Sequence, residues 1–182
     1  DKTVRRWAVA TGTLQNTVLT HQHWIRALAI SPDGQTLVAG TQDREITICD
    51  PATGQVRRRQ THHTGEVVCL AISPDGELLV SGGADRQIIF WRLRDGKLMG
   101  ALNAHSHSVN SVSFSADGKL LATASRDRTI RIWNMTTRKL LDVLVGHESG
   151  VWSAIFATDS RTLISGDWSG QIRRWTLNSL NR

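Results

Sequence analysis

A spacing of 42 residues runs through the whole chain and constrains its fold more than any other feature. Ser31-Pro32-Asp33-Gly34 returns as Ser73-Pro74-Asp75-Gly76 and Ser115-Ala116-Asp117-Gly118, then in degraded form as Ala157-Thr158-Asp159-Ser160. His21, His63, His105 and His147 keep the same step, and so do Trp7, Cys49, Trp91, Trp133 and Trp175. Asp1, Asp43, Asp85 and Asp127 follow it too, with Ser169 in the fifth place. Four markers in phase without a gap require one supersecondary unit built repeatedly, each copy burying its apolar surface on the next.

Each unit reads as strands. Val109–Phe114 is rich in β-formers and ends in a turn; Leu120–Ala124 and Thr129–Trp133 follow, separated by the polar Ser125-Arg126-Asp127-Arg128, and Lys139–Leu144 completes the unit. No segment sustains a helical period. The first two strands are apolar on both faces, as a sheet packed between neighbours requires. Small residues recur at Ala27, Cys69, Ser111 and Ser153, which suits an inner strand crowded near an axis. A four-stranded antiparallel unit repeated radially is a β-propeller blade, so the expected fold is all-β, a partial ring of such blades.

The in-phase His, Asp and Trp resemble the WD40 repeat family over essentially the whole chain. Gly146-His147 matches the family's GH dipeptide, while the closing WD dipeptide is degenerate: Trp91-Arg92, Trp133-Asn134, Trp175-Thr176 and Cys49-Asp50. The resemblance implies a buried His–Ser/Thr–Asp–Trp hydrogen-bond network in each blade. It is whole in two units, His63/Ser81/Asp85/Trp91 and His105/Thr123/Asp127/Trp133. Ala39 and Cys49 remove the hydroxyl and the indole beside His21 and Asp43; Ser169 stands for the Asp beside His147, Ser165 and Trp175. The phase places strands c and d of a partial blade at 1–19, complete blades at 20–61, 62–103 and 104–145, and a blade lacking its last strand at 146–182. Rings of this family close with about seven blades. The expectation is an arc whose missing blades come from the rest of a longer chain or from a second chain.

Other classes lack their signatures. The chain opens with Asp, and no apolar run reaches the ~20 residues of a membrane span or forms a leader. Two cysteines, Cys49 and Cys69, make neither a disulfide scaffold nor a metal-ligand spacing. One His with nearby Ser and Asp in every repeat is not a single exposed triad, and His21/His23 or His105/His107 lack further ligands in register. The expected protein is non-catalytic, without cofactor or metal, and cytoplasmic.

Seven Trp with no Tyr remain to be explained. Four keep the 42-residue step; Trp24, Trp152 and Trp168 do not. In the WD40 family, top-face contacts come from the residues flanking the first apolar residue of strand a, and from the residue before the turn Asp. Carried onto Ile25, Val67, Val109 and Val151, this gives Trp24, Arg26, Glu66, Asn110 and Trp152 as contacts; before the turn stand Gln42, Arg126 and Trp168. All three unexplained indoles fall in this set, and Trp and Arg are the types most enriched at interface hot spots. The resemblance therefore implies a protein-interaction platform or sensor module that binds a protein partner. The net charge of +6 gives the alternative, an anion-binding surface for nucleic acid or acidic lipid. All the basic residues except Lys2, Lys97, Lys119 and Lys139 are Arg, with a run at Arg57-Arg58-Arg59 and a pair at Arg173-Arg174. Yet Arg is scattered through every repeat, and solvated outer strands tolerate charge.

Overall fold

A computed structural model describes residues 1–177; residues 178–182, the tail of the last expected unit, lie outside the described residues. The described residues form five antiparallel sheets of consecutive strands. The first pairs β1 (Thr3–Ala8) with β2 (Thr13–Thr20). The second contains β3 (Ile25–Ile30), β4 (Leu37–Thr41), β5 (Ile46–Cys49) and β6 (Val56–Gln60). The third contains β7 (Val67–Ile72), β8 (Leu78–Gly83), β9 (Gln87–Arg92) and β10 (Lys97–Asn103). The fourth contains β11 (Val109–Phe114), β12 (Leu120–Ser125), β13 (Thr129–Asn134) and β14 (Leu140–Val145). The fifth contains β15 (Val151–Phe156), β16 (Thr162–Asp167) and β17 (Ile172–Thr176). The fourth strand of the fourth sheet starts one residue later than the apolar pattern suggests. Among the described residues there is no helix, so none could cross a membrane.

The recurring turn explains why strands a and b fold back. Ser31 Oγ donates to Asp33 and accepts the amide of Thr36 (2.9 Å), while Asp33 accepts the amide of Gln35 (3.0 Å). Gly34 supplies the left-handed residue that closes the turn, at φ 71°. Where the hydroxyl is lost at Ala157, Asp159 holds the turn alone. It takes the Thr162 hydroxyl (2.7 Å) and the amides of Arg161 and Thr162, and these bonds lower its carboxyl to about 2.

The sheets stack through apolar faces. Ile46, Ile88 and Ile130, one per sheet at the same register, are all fully buried. Burying a side chain of this size stabilises by roughly 1.5–3 kcal/mol. Gly82 leaves the space that Cys69 Sγ and Val109 fill; a Cβ there would overlap both. Val109 is the first apolar residue of the next sheet's inner strand, so this glycine sets how closely two sheets approach.

Strand a carries a register irregularity in all four of its copies among the described residues. Pairing skips from Ile25 to Ala27, Val67 to Cys69, Val109 to Ser111 and Val151 to Ser153. Arg26, Val68, Asn110 and Trp152 are therefore the unpaired residues of bulges, which bend a strand and re-aim its side chains.

Candidate functional site

Turns between strands b and c, and the loops entering strand a, lie at one end of the second to fifth sheets. A repeated bond joins them: the amides of Gln42, Ala84, Arg126 and Trp168 donate to the carbonyls of Trp24, Glu66, Ser108 and Gly150, at 2.9–3.1 Å. The expected contact residues are thus tied in pairs by backbone, and the adjacent bulge places Arg26, Asn110 and Trp152 beside them.

Beneath this face, buried networks hold the turns in place. His63 Nδ1–H donates to Asp85 (2.9 Å), Ser81 O–H donates to His63 Nε2 (2.8 Å), and Trp91 Nε1–H donates to Ser81 Oγ (2.9 Å). His105, Thr123, Asp127 and Trp133 repeat the chain at 2.8–3.0 Å. Every polar atom has a partner of the right type, which is what such groups need when buried. Burial opposes ionisation of Asp85 and Asp127, but hydrogen bonds from the His and from the turn outweigh it. Both carboxyls lie below the usual range.

Two networks differ from the sequence expectation. In the fifth sheet the missing turn Asp is replaced by Asp167, at the end of β16: it accepts from His147 Nδ1 (2.8 Å) and from Ser169 Oγ (2.6 Å). Ser165 and Trp175 complete the chain. Two residues closer to the strand, the carboxylate reaches the same imidazole because Ser169 and Asp167 have exchanged places. In the third sheet Gly83 holds that strand position, where a Cβ would strike His63 and Asp85. The second sheet is rewired: His21 Nε2–H donates to Glu45 (3.3 Å), since His21 Nδ1 accepts the amide of His23 (3.1 Å). Glu45 also takes the Thr47 hydroxyl and Arg59. Asp43 instead receives the Thr41 hydroxyl at 2.6 Å.

On the surface above, the structure brings some expected residues together and separates others. Trp152 (50% exposed) and Trp168 (62% exposed) meet edge to face, with centroids 4.6 Å apart and planes at 71°. Arg126 joins them across the seam between sheets: a Cβ on Gly150 would lie 3.1 Å from both Arg126 Cα and Trp168 Cδ1. Arg26 pairs with Glu66 at 3.7 Å. Asn110 donates to the carbonyl of Val151 (2.9 Å), a bond that ties two sheets together and engages its amide nitrogen. Gln42 and Trp24 are exposed, and Trp24 stands three sheets away from the indole pair. An open concave surface of about 520 Å³ runs along the inner strands, lined by Arg26, Leu70, Asn110 and Trp152 among others.

The outer-strand arginines are engaged internally. Arg57 binds Asp50 (2.9 Å), Arg59 binds Glu45 (2.6 Å), and Arg58 donates to the Arg57 carbonyl (2.7 Å). The residues missed from sequence are Arg44, Arg86 and Arg128, one after each turn Asp, all exposed. Their 42-residue step was visible in the sequence; their left-handed backbone, φ 70–74°, was not.

The family described as WD domain, G-beta repeat matches four segments, 12–50, 54–92, 96–134 and 138–176. Each begins near strand d of one sheet and ends at strand c of the next. The chain is also similar to the nuclear distribution protein PAC1 of Coccidioides posadasii, 40% identical over 55 residues, 30% of this chain and 12% of that protein. PAC1 of Tuber melanosporum is 44% identical over 50 residues, 28% of this chain and 11% of the relative.

Proposed function

This chain belongs to the WD40 repeat family, and from that membership we propose that it is a non-catalytic docking platform for a protein partner, engaged through the end of the arc that carries Trp152, Trp168 and Arg126, with Trp24 as an outlying anchor. The observation that carries this reading is the exposed indole pair. Each residue is half or more exposed, on a site braced by a buried hydrogen-bond network below and a backbone bond beside it. Rigid aromatic anchors bind at low entropic cost. The fungal relatives are matched over about a tenth of their length, so their nuclear distribution role adds nothing specific to this proposal. Further blades, from a longer chain or a second chain, complete the ring. A cytoplasmic setting belongs to the same reading.

The alternative, anion binding through the outer strands, is disfavoured because Arg57 and Arg59 already hold carboxylates. The test is a double substitution, W152A/W168A, assayed by capture of partners from extract and by thermal unfolding. Capture is lost while the melting temperature is kept, because both rings are largely exposed. Unchanged capture would refute the proposal.

A further inference from the structure

The rim around the indole pair carries cations that the fold does not use. Arg44, Arg86 and Arg128 occupy left-handed backbone at φ 74°, 71° and 70°. A non-glycine residue pays roughly 1–2 kcal/mol for that conformation. The conformation itself has a structural reason: the carbonyl of Arg86 accepts the amides of Ala104 and His105, fixing the loop into the next inner strand. The side chains of Arg44, Arg86 and Arg128 are exposed and lie outside the ion pairs of the described residues. Gly170 fills the same place in the fifth sheet at φ 84° without strain. Arginine is thus kept at three consecutive rims where glycine satisfies the backbone, so the turn does not dictate this side chain.

The accessible charge at this end is mostly basic, because the carboxylates of Asp85, Asp127, Asp167 and Glu45 lie at most 15% exposed beneath it. Asp85, Asp127 and Asp167 are committed to histidines and turn amides, Asp43 to Thr41, and Glu66 lies beside Arg26. Glu148 is the exposed carboxylate of the loop before Gly150. The arginines in ion pairs among the described residues are Arg5, Arg26, Arg57, Arg59 and Arg92. Arg44, Arg86, Arg126 and Arg128 are outside that set and exposed. The result is a row of guanidiniums along three sheets, ending at an aromatic corner.

We infer that this end of the arc receives an acidic, extended protein segment, its carboxylates lying along Arg44, Arg86, Arg128 and Arg126 and an apolar side chain seated between Trp152 and Trp168. This rests on the docking reading above and adds the chemistry of the partner. Guanidiniums match carboxylates in pairs of parallel hydrogen bonds. A nucleic acid strand fits less well. Stacked bases need aromatic faces open in series, whereas these two rings meet edge to face.

The test titrates the full chain with three labelled probes, followed by anisotropy: a capped acidic peptide of Asp and Glu around a central Phe, the same peptide with Lys at every acidic position, and a short oligothymidylate. The acidic peptide binds, more weakly as salt rises. R126Q weakens it by about fivefold, R44Q/R86Q/R128Q flattens the salt dependence, and W152A/W168A weakens it by tenfold or more. Thermal unfolding shows each variant folded. The inference is overturned if the acidic peptide does not bind, if the Lys peptide matches it, or if oligothymidylate binds more tightly. Binding that needs the two indoles but ignores the arginines and salt overturns the acidic partner and leaves the docking face standing. Peptide binding unaffected by W152A/W168A removes the docking face as well.

Discussion

An imidazole with two different partners can hold only one neutral tautomer, and three histidines here are fixed that way. In His63, His105 and His147, Nδ1–H faces a carboxylate and Nε2 accepts a hydroxyl that is itself held by an indole. Asp167 shows that the requirement is a carboxylate at one point in space, not at one place in the sequence. D167N should therefore destabilise the chain, while S169A, which removes only a supporting hydrogen bond, costs about 1 kcal/mol. The pH dependence tests the carboxylate directly. A carboxyl held low in the folded state gives stability that is present above its unfolded value, near 4, and is lost as pH falls through the folded value. Ser169, with His147 beyond it, holds Asp167 low against the opposing cost of burial. Chemical denaturation between pH 2 and 5 thus gives a shallower loss of stability in D167N than in the parent. Equal slopes would show that Asp167 does not carry this linkage. The network in the third and fourth sheets was legible in sequence because all four residues kept the period. The fifth was not, because a two-residue exchange between strand end and turn preserves the contact while breaking the spacing.

Between elements, the inner strands touch through side chains rather than a shared ladder. Ser111 Oγ donates to the Ala154 carbonyl (3.2 Å) and accepts the Ala154 amide (3.3 Å); Ser113 Oγ accepts the Phe156 amide (3.2 Å). With Asn110, these bonds satisfy the free edge of β15. The same positions one repeat earlier are Cys69 and Ala71, of which Cys69 reaches only the Val109 carbonyl (3.5 Å), and two repeats earlier they are Ala27 and Ala29. Small residues here were legible as crowding near an axis. Their hydrogen bonding across the seam was not, since it depends on the bulge that offsets strand a by one residue. S111A/S113A should speed amide exchange at Ala154 and Phe156 and lower stability by about 1 kcal/mol per lost bond. Exchange at Leu70 and Ile72, across the seam without serines, should stay as in the parent. If the Ala154 and Phe156 amides keep their protection, the serines do not close this edge.

For the whole molecule, the repeat predicts what each sheet should bury and so identifies what two of them leave uncovered. Ile172 is in register with Ile46, Ile88 and Ile130, yet it is 79% exposed, and Ile155 on the same sheet is 57% exposed. At the other end Leu28 and Ile30 face the two-stranded first sheet, which has no strand a or b to cover them, and both are at least half exposed. These surfaces are copies of the two faces that pack together at every internal seam, so each is complementary in kind to the other. A further four-stranded blade, as proposed above, would fit both. In the isolated chain, other copies should meet the requirement poorly, and sedimentation velocity should then give a mass that rises with concentration. I155K/I172K holds the chain at monomer mass with little loss of stability, because side chains already in water have little burial to forfeit. I130A, at the matching covered position, costs roughly 2–5 kcal/mol. An arc that stays monomeric at high concentration before any substitution would mean that these faces are tolerated in water, and the case for further blades would then rest on the repeat alone.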